Sequence, residues 1–401
     1  MLFEAEQSGL EVAQLLGALF AYQPTPLVPL SAVTHACGLA SVQIKDEGAR
    51  LGLKSFKALG GAYAVIKLVR QRAAETLGRH VALAELPRPA SGSLALPEQG
   101  AVDTPAHPEV RQAAQQMTFT CATDGNHGLS VAAGARLMGA RAVIFVHEGV
   151  SAERCAAIEA FGARLSVVGG SYDDAVAEAL RQSRARDWLL VSDTSWEGYT
   201  ETPRLVMQGY SVLAHELLTQ LSAPPTHVFL QAGVGGFAAA IAAALAGHYP
   251  RAMARVIVVE PARAACLYAS LHAGRAVRID ARESTLMAML ECYEPSLLAW
   301  ESLKHAATAF MTVEDQGALE AMRILARPAV AAESLVAGES GAAGLAGLLA
   351  ACRSPEARAA LGLDASARVL LVNTESATDA ARYVAAVGAS PAAIAARAAR
   401  A

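Results

Sequence analysis

What this chain of 401 residues lacks narrows it first. Its six cysteines (Cys37, Cys121, Cys155, Cys266, Cys292 and Cys352) form no CxxC and no Cys/His spacing suited to zinc. They read as free thiols of a reducing compartment, with no bound metal expected. Charge is scarce, 17% of residues against 53% hydrophobic, which excludes a disordered or fibrous chain. The formal charge of −4 offers nothing to nucleic acid or to an anionic membrane. A signal peptide is not expected either, because MLFEAEQ is acidic and lacks the basic-then-apolar order. The uncharged stretch 232–247 is rich in Ala and Gly and too short to span a bilayer comfortably. A soluble cytoplasmic protein with a small-molecule partner is the expectation.

What is present is a strand–helix alternation. The stretch 41–55 reads as a short alternating strand and then a polar loop ending at Ser55, and further strands are predicted over 119–123, 141–146, 164–169, 188–193, 227–233, 254–261 and 368–376, with helices between them. That spacing implies βαβ units and parallel sheets. Residues 1–22 read as a helical lead-in, 24–30 as a Pro-punctuated connector, and 262–325 as helices around a polar loop at 279–295. The stretch 79–117, with several Pro, Gly and Ser and no period, reads as the crossing into a second domain. The expected division is a large domain of residues 1–80 and 195–401 and a small one of 81–194. The Ala-rich tail 390–401 is expected to be helical or frayed.

Four stretches carry chemistry. In SFKALGG (55–61), Ser55 is a good N-cap and puts Lys57 in the first turn of a predicted helix from 57 to about 72. A cation there opposes the helix dipole by up to ~1 kcal/mol, although most lysines are simply solvated. In QAGVGGFAAAIAAAL (231–245), Gly233, Val234, Gly235 and Gly236 allow a tight turn whose amides converge on an anion. The spacing is neither the dinucleotide fingerprint nor a Walker loop, so a single phosphate monoester fits, and close helix–strand packing fits equally. TDGNHG (123–128) offers Thr123, Asp124, Gly125, Asn126 and His127 at a strand-to-helix turn, either as a carboxylate site or as an ordinary capped Asp-Gly turn. Asp193 in DTSWEGY (193–199) stands where parallel sheets place ligand contacts and reads as a partner for a substrate ammonium or as a solvated turn residue. Thr374 ends the last strand with a hydroxyl, or is an ordinary β-branched strand residue.

Taken together and in this order, these pieces resemble the fold-type II pyridoxal phosphate enzymes, the tryptophan-synthase-β and threonine-dehydratase group, over roughly residues 22–380. Within that group the chain is most similar to the diaminopropionate ammonia-lyases. The pointers are Asp124 inside TDGNHG, DTSWEGYTETP (193–203), VMQGY (206–210), GESGAAGL (338–345) and NTES (373–376) followed by Thr378 and Asp379. The resemblance implies a two-domain α/β protein with mostly parallel, open twisted sheets flanked by helices, and a homodimer.

It also implies pyridoxal 5'-phosphate as cofactor, with Lys57 condensing with its aldehyde and the turn 233–236 holding its phosphate. Asn126 would lie beside the ring hydroxyl and Thr374 at the pyridine nitrogen. The reaction implied is elimination from 2,3-diaminopropionate to pyruvate and two ammonia. Lys57 would act as base for the L enantiomer, Asp124 for the D enantiomer, and Asp193 would orient the distal ammonium. Thr123, Gly125, Asn126 and His127 are expected around the substrate. The chain departs from the pattern at Met289, Glu291 and Tyr293, where small residues are expected, and at Ser376, where Gly is. The first three would reshape the substrate end of the cavity. A serine or threonine dehydratase, which would not act on D substrates, and a non-catalytic amino-acid sensor are the rival readings; a Rossmann dehydrogenase is disfavoured by the glycine spacing.

Overall fold

A computed structural model describes residues 5–96, 98, 101, 103–250 and 254–400. The start of the expected helical lead-in (1–4), positions 97, 99, 100 and 102 of the 79–117 stretch, and the last residue of the tail lie outside the described residues. The strands are β1 (Leu27–Pro29), β2 (Ser41–Asp46), β3 (Thr118–Ala122), β4 (Arg141–His147), β5 (Arg164–Val168), β6 (Leu189–Leu190), β7 (His227–Gln231), β8 (Arg255–Pro261), β9 (Ala309–Val313) and β10 (Arg368–Asn373).

The chain divides by its contacts into two compact units. One comprises Met1–Glu6, Thr25–Ala49 and Leu213–Ala401, the other Gln7–Pro24 and Arg50–Val212. The boundary at 212/213 falls inside the long helix Glu201–Gln220. Residues 7–24, 50–80 and 195–212, expected with the large domain, therefore belong to the second unit, and the whole described part of 79–117 lies within it.

The second unit holds a four-stranded parallel sheet of order β5-β4-β3-β6. β3 is buried along its whole length, as a strand covered on both faces must be. The helices Asn126–Met138 and Tyr172–Arg186 pack on β3 and β4. Three adjacent strands, β4, β3 and β6, thus end side by side, where parallel sheets place ligand contacts. β6 runs for only two residues, not the six expected. The Tyr199 hydroxyl donates to the Leu190 carbonyl at 2.7 Å and accepts from the Ser192 amide at 3.1 Å, standing in for ladder bonds and turning the chain away. The 79–117 stretch is less irregular than its composition suggests. It contains a 3₁₀ turn at Leu83–Glu85, a bridge between Arg88 and Thr104, and a helix Pro108–Gln115 begun by Pro at its first position.

The first unit holds a six-stranded sheet, β1-β2-β10-β7-β8-β9, parallel except for β1. β1 and β9 were not expected. β1 is three residues on the edge and ends at Pro29, which has no amide to give a ladder. β9 is the opposite edge strand, and no Gly or Pro separates it from the helix Leu297–Ala306. Lys45 of β2 is fully buried and is held by the Glu216 carboxylate at 2.6 Å, the Thr25 carbonyl at 2.6 Å and the Gln220 side-chain oxygen at 2.7 Å. Loss of one partner from such a buried pair costs about 3–5 kcal/mol, so the pair specifies how β2 sits. The core is aliphatic and small: Val369 and Leu371 of β10 meet Ala343, Ala346 and Leu348 of the helix Ala343–Arg353.

Candidate active site

In the second unit, Lys57 does not lie in the first turn of an α-helix. It occupies a 3₁₀ turn, Phe56–Leu59, and the helix proper begins at Gly61. Ser55 is the cap as predicted, its hydroxyl accepting from the Lys57 amide at 3.1 Å. Close packing sets the break. A Cβ on Gly60 would stand 2.5 Å from the Tyr210 ring, and one on Gly61 2.9 Å from the Ser130 hydroxyl. Lys57 therefore avoids an adverse helix dipole and projects from a turn pinned on both sides.

Its ammonium pairs with Asp193. Asp193 is no solvated turn residue: its side chain is 11% exposed, and the Tyr172 hydroxyl donates to its other oxygen at 3.4 Å. Burial, the largest single influence, pushes the Asp193 carboxyl up; the charges of Lys57 and of a protonated His127 and the hydrogen bond from Lys57 together outweigh it and hold the group below the usual carboxylate range. His127 is held below the usual histidine range by burial, so near neutrality Lys57 supplies the charge that acts on Asp193. The Tyr210 ring lies 4.8 Å from that of Phe56, beside the same turn.

The turn after β3 is braced by its own threonine. Thr123 Oγ1 accepts from the amides of Gly125 and Gly128, each at 2.9 Å. Two amides expected to face a carboxylate are thus engaged by Thr123. Gly125, at φ +146°, is the residue before the helix Asn126–Met138 and could not be an ordinary residue there. Asn126 opens that helix, buried. His127 Nε2 donates to the Val191 carbonyl at 2.7 Å, which leaves Nδ1 a buried acceptor without a protein partner. Asp124 pairs through Oδ1 with His147 Nε2 at 3.0 Å.

In the first unit, the glycine turn follows β7. A Cβ on Gly233 would meet Cys292 Sγ at 2.9 Å, and Gly235 has φ +95°. Val234 is buried, and Gly236 opens the helix Gly236–His248, whose start receives no side-chain cap. Thr374 follows β10, and its Oγ1 accepts from Gln231 Nε2 at 3.1 Å, which leaves the hydroxyl hydrogen to be donated. Met289, Glu291 and Tyr293 belong to a fastened loop. The Tyr293 hydroxyl donates to Glu291 at 2.6 Å, the Thr285 amide to the same carboxylate at 3.1 Å, and the Met289 amide to Ser340 Oγ at 3.2 Å. Ser376 lies just after the last strand, with Gly48 close against its Cβ.

Tyr172, Tyr210 and His147 in the second unit, and Gln231 in the first, contact these groups without having been singled out individually from sequence. His147 and Gln231 had a readable signal as polar residues at the C-terminal ends of strands, and Tyr210 closes the VMQGY stretch.

A family model described as pyridoxal-phosphate dependent enzyme matches residues 99–396. The diaminopropionate ammonia-lyase of Escherichia coli (strain K12) is 36% identical over 369 residues, covering 90% of this chain and 86% of that protein. Two crystal structures of the diaminopropionate ammonia lyase from Escherichia coli are similar at 35% identity. One, in complex with an aminoacrylate-PLP azomethine reaction intermediate, has a TM-score of 0.82 and covers 96% of this chain and 92% of that one. The other, in complex with D-serine, has a TM-score of 0.81 with 95% and 92% covered.

Proposed function

This chain belongs to the pyridoxal-phosphate dependent enzymes, within the diaminopropionate ammonia-lyase family, and we propose on that footing that it converts L- and D-2,3-diaminopropionate and water to pyruvate and two ammonia. Pyridoxal phosphate is its cofactor, and the residues present fit it. Lys57 offers an amine held on a rigid turn. The uncapped helix start after Gly233, Val234, Gly235 and Gly236 offers amides to a phosphate. Thr374, its oxygen already accepting from Gln231, is left to donate to an unprotonated ring nitrogen. Asn126 would lie by the ring hydroxyl. When bound, the cofactor supplies the electron sink that acidifies Cα–H of an attached amino acid.

The chain's own residues supply the rest. Lys57 Nζ takes the proton from one face, for the L enantiomer, and the Asp124 carboxylate takes it from the other, for the D enantiomer. Asp193 holds the distal ammonium, which leaves as the first ammonia; water then releases the second. Thr123, Gly125 and His127 shape the substrate end. The single observation that carries this reading is the Lys57–Asp193 pair: a carboxylate withdrawn from water already grips an ammonium.

The test is release of pyruvate from each enantiomer. Lys57→Ala should lose both turnovers together with the borohydride-sensitive visible absorption of the bound cofactor, and Asp124→Asn should lose turnover of the D enantiomer selectively. Equal loss for both enantiomers in Asp124→Asn removes the two-base reading. The chain is read further as a cytoplasmic homodimer. The resemblance supports this, and the described cysteines are all free thiols. No helix among the described residues is long and apolar enough to cross a membrane. A light-scattering mass equal to one chain would remove the dimer.

A further inference from the structure

Two carboxylates of the second unit, Asp124 and Asp193, follow neighbouring strands of one sheet but have different partners. Asp193 is gripped by a cation. Asp124 is gripped by His147, the last residue of β4. The protonation state of that imidazole can be read from its other nitrogen. The amide of Gly149 donates to His147 Nδ1 at 3.1 Å, so Nδ1 is an acceptor and carries no hydrogen. The single ring hydrogen is then on Nε2, which donates to Asp124 Oδ1. His147 is accordingly a neutral donor, and it orients Asp124 without the charge that ties Asp193 to Lys57.

The ring is also seated. A Cβ on Gly149 would stand 2.8 Å from His147 Cε1, closer than real contacts allow, and a tight 3.0 Å from Nδ1. Only glycine at 149 lets the imidazole lie on the backbone that donates to it. The main chain beneath Asp124 is fixed independently, by the two amide bonds to Thr123. What remains to be set is the torsion of the Asp124 side chain, and the hydrogen bond from His147 acts directly on it.

We propose that His147, seated on Gly149, is the positioning residue of the D-enantiomer branch, holding the Asp124 carboxylate in the orientation from which it removes the Cα proton. This rests on the role given to Asp124 above.

The experiment compares kcat and KM for D- and L-diaminopropionate in the cofactor-loaded enzyme and in three variants. His147→Leu keeps bulk and removes the donor. His147→Gln places an amide N–H near the position of Nε2. Gly149→Ala, at an exposed turn, displaces the ring without touching it chemically. His147→Leu and Gly149→Ala should lower the D-to-L ratio of kcat/KM by about tenfold or more, chiefly through kcat, and His147→Gln should recover most of it. In the wild type, imidazole nitrogen shifts should show His147 as the Nε2–H tautomer near neutral pH.

Equal losses for both enantiomers, an unmoved ratio, failure of His147→Gln to rescue, or the opposite tautomer would each overturn the assignment alone. A wild type with no turnover of the D enantiomer would instead overturn the two-base reading and this assignment with it.

Discussion

A lysine and a carboxylate paired in water contribute at most ~1 kcal/mol, because solvent screens them and the side chains lose freedom. Lys57 and Asp193 are in a different regime, with side chains 17% and 11% exposed. There the carboxylate is committed to a cation, and exchange of one ammonium for another is chemically conservative. That motivates a substrate-dependent prediction. Asp193→Asn should lower kcat/KM for diaminopropionate by about tenfold or more, about 1.4 kcal/mol. Its effect on serine, which has no distal ammonium, should be smaller. Steady-state kinetics on both substrates decide it, and equal losses would deprive Asp193 of that role. At this scale the sequence was informative about residue types and poor about partners. Asp193 and Asp124 were both conspicuous, but the histidine that holds one and the lysine that holds the other lie 23 and 136 positions away in the chain.

Elements here are placed by absence of side chains as much as by presence. The 3₁₀ turn bearing Lys57 stops at Gly60, where a methyl would enter the fully buried ring of Tyr210 at 2.5 Å. Gly134 lies close enough to the helix Gly61–Leu77 that its Cβ would be 2.8 Å from Ala62 Cα. Gly60→Ala should therefore destabilise the protein by about 1–3 kcal/mol, as overpacking does. It should also lower covalent cofactor incorporation, because the turn that aims Lys57 must shift. Gly17, in the exposed part of the helix Ala5–Leu19 with nothing within 4 Å, is the control. Gly17→Ala should be neutral or stabilise by roughly 0.5–1 kcal/mol. Thermal melts and the cofactor absorbance measure both, and a Gly60→Ala protein that melts and binds like wild type would show that Tyr210 yields. The Ser55 cap was legible because capping acts over two or three residues. The change from 3₁₀ turn to helix was not, because the Tyr210 ring and the Ser130 hydroxyl that pack against Gly60 and Gly61 lie 150 and 69 positions further along the chain.

Over the whole molecule, one buried acid makes stability depend on pH. Glu260, in β8, is fully buried; burial pushes its carboxyl up to about 8, although the amides of Leu267 and Tyr268 donate to it. The ordinary value is 4.5, so between those limits the folded protein holds a proton that the unfolded chain has released. The contribution of Glu260 is then full below the unfolded value and declines as pH rises towards 8. The melting temperature should fall across that window, and Glu260→Gln should flatten the slope. A slope unchanged in the variant would assign it elsewhere. The sequence by itself determined the βαβ alternation, the parallel sheets and the order of the glycine, TDGNHG and lysine motifs, since hydrophobic period and turn chemistry act within about ten residues. The tertiary structure alone decided that β1 and β9 close the edges of the large sheet, that β6 ends after two residues on the Tyr199 hydroxyl, and that Asp124 meets an imidazole while Asp193 meets a lysine. Those outcomes depend on which strands become neighbours, and strand order is set by burial of the sheet as a whole, not by any local run of residues.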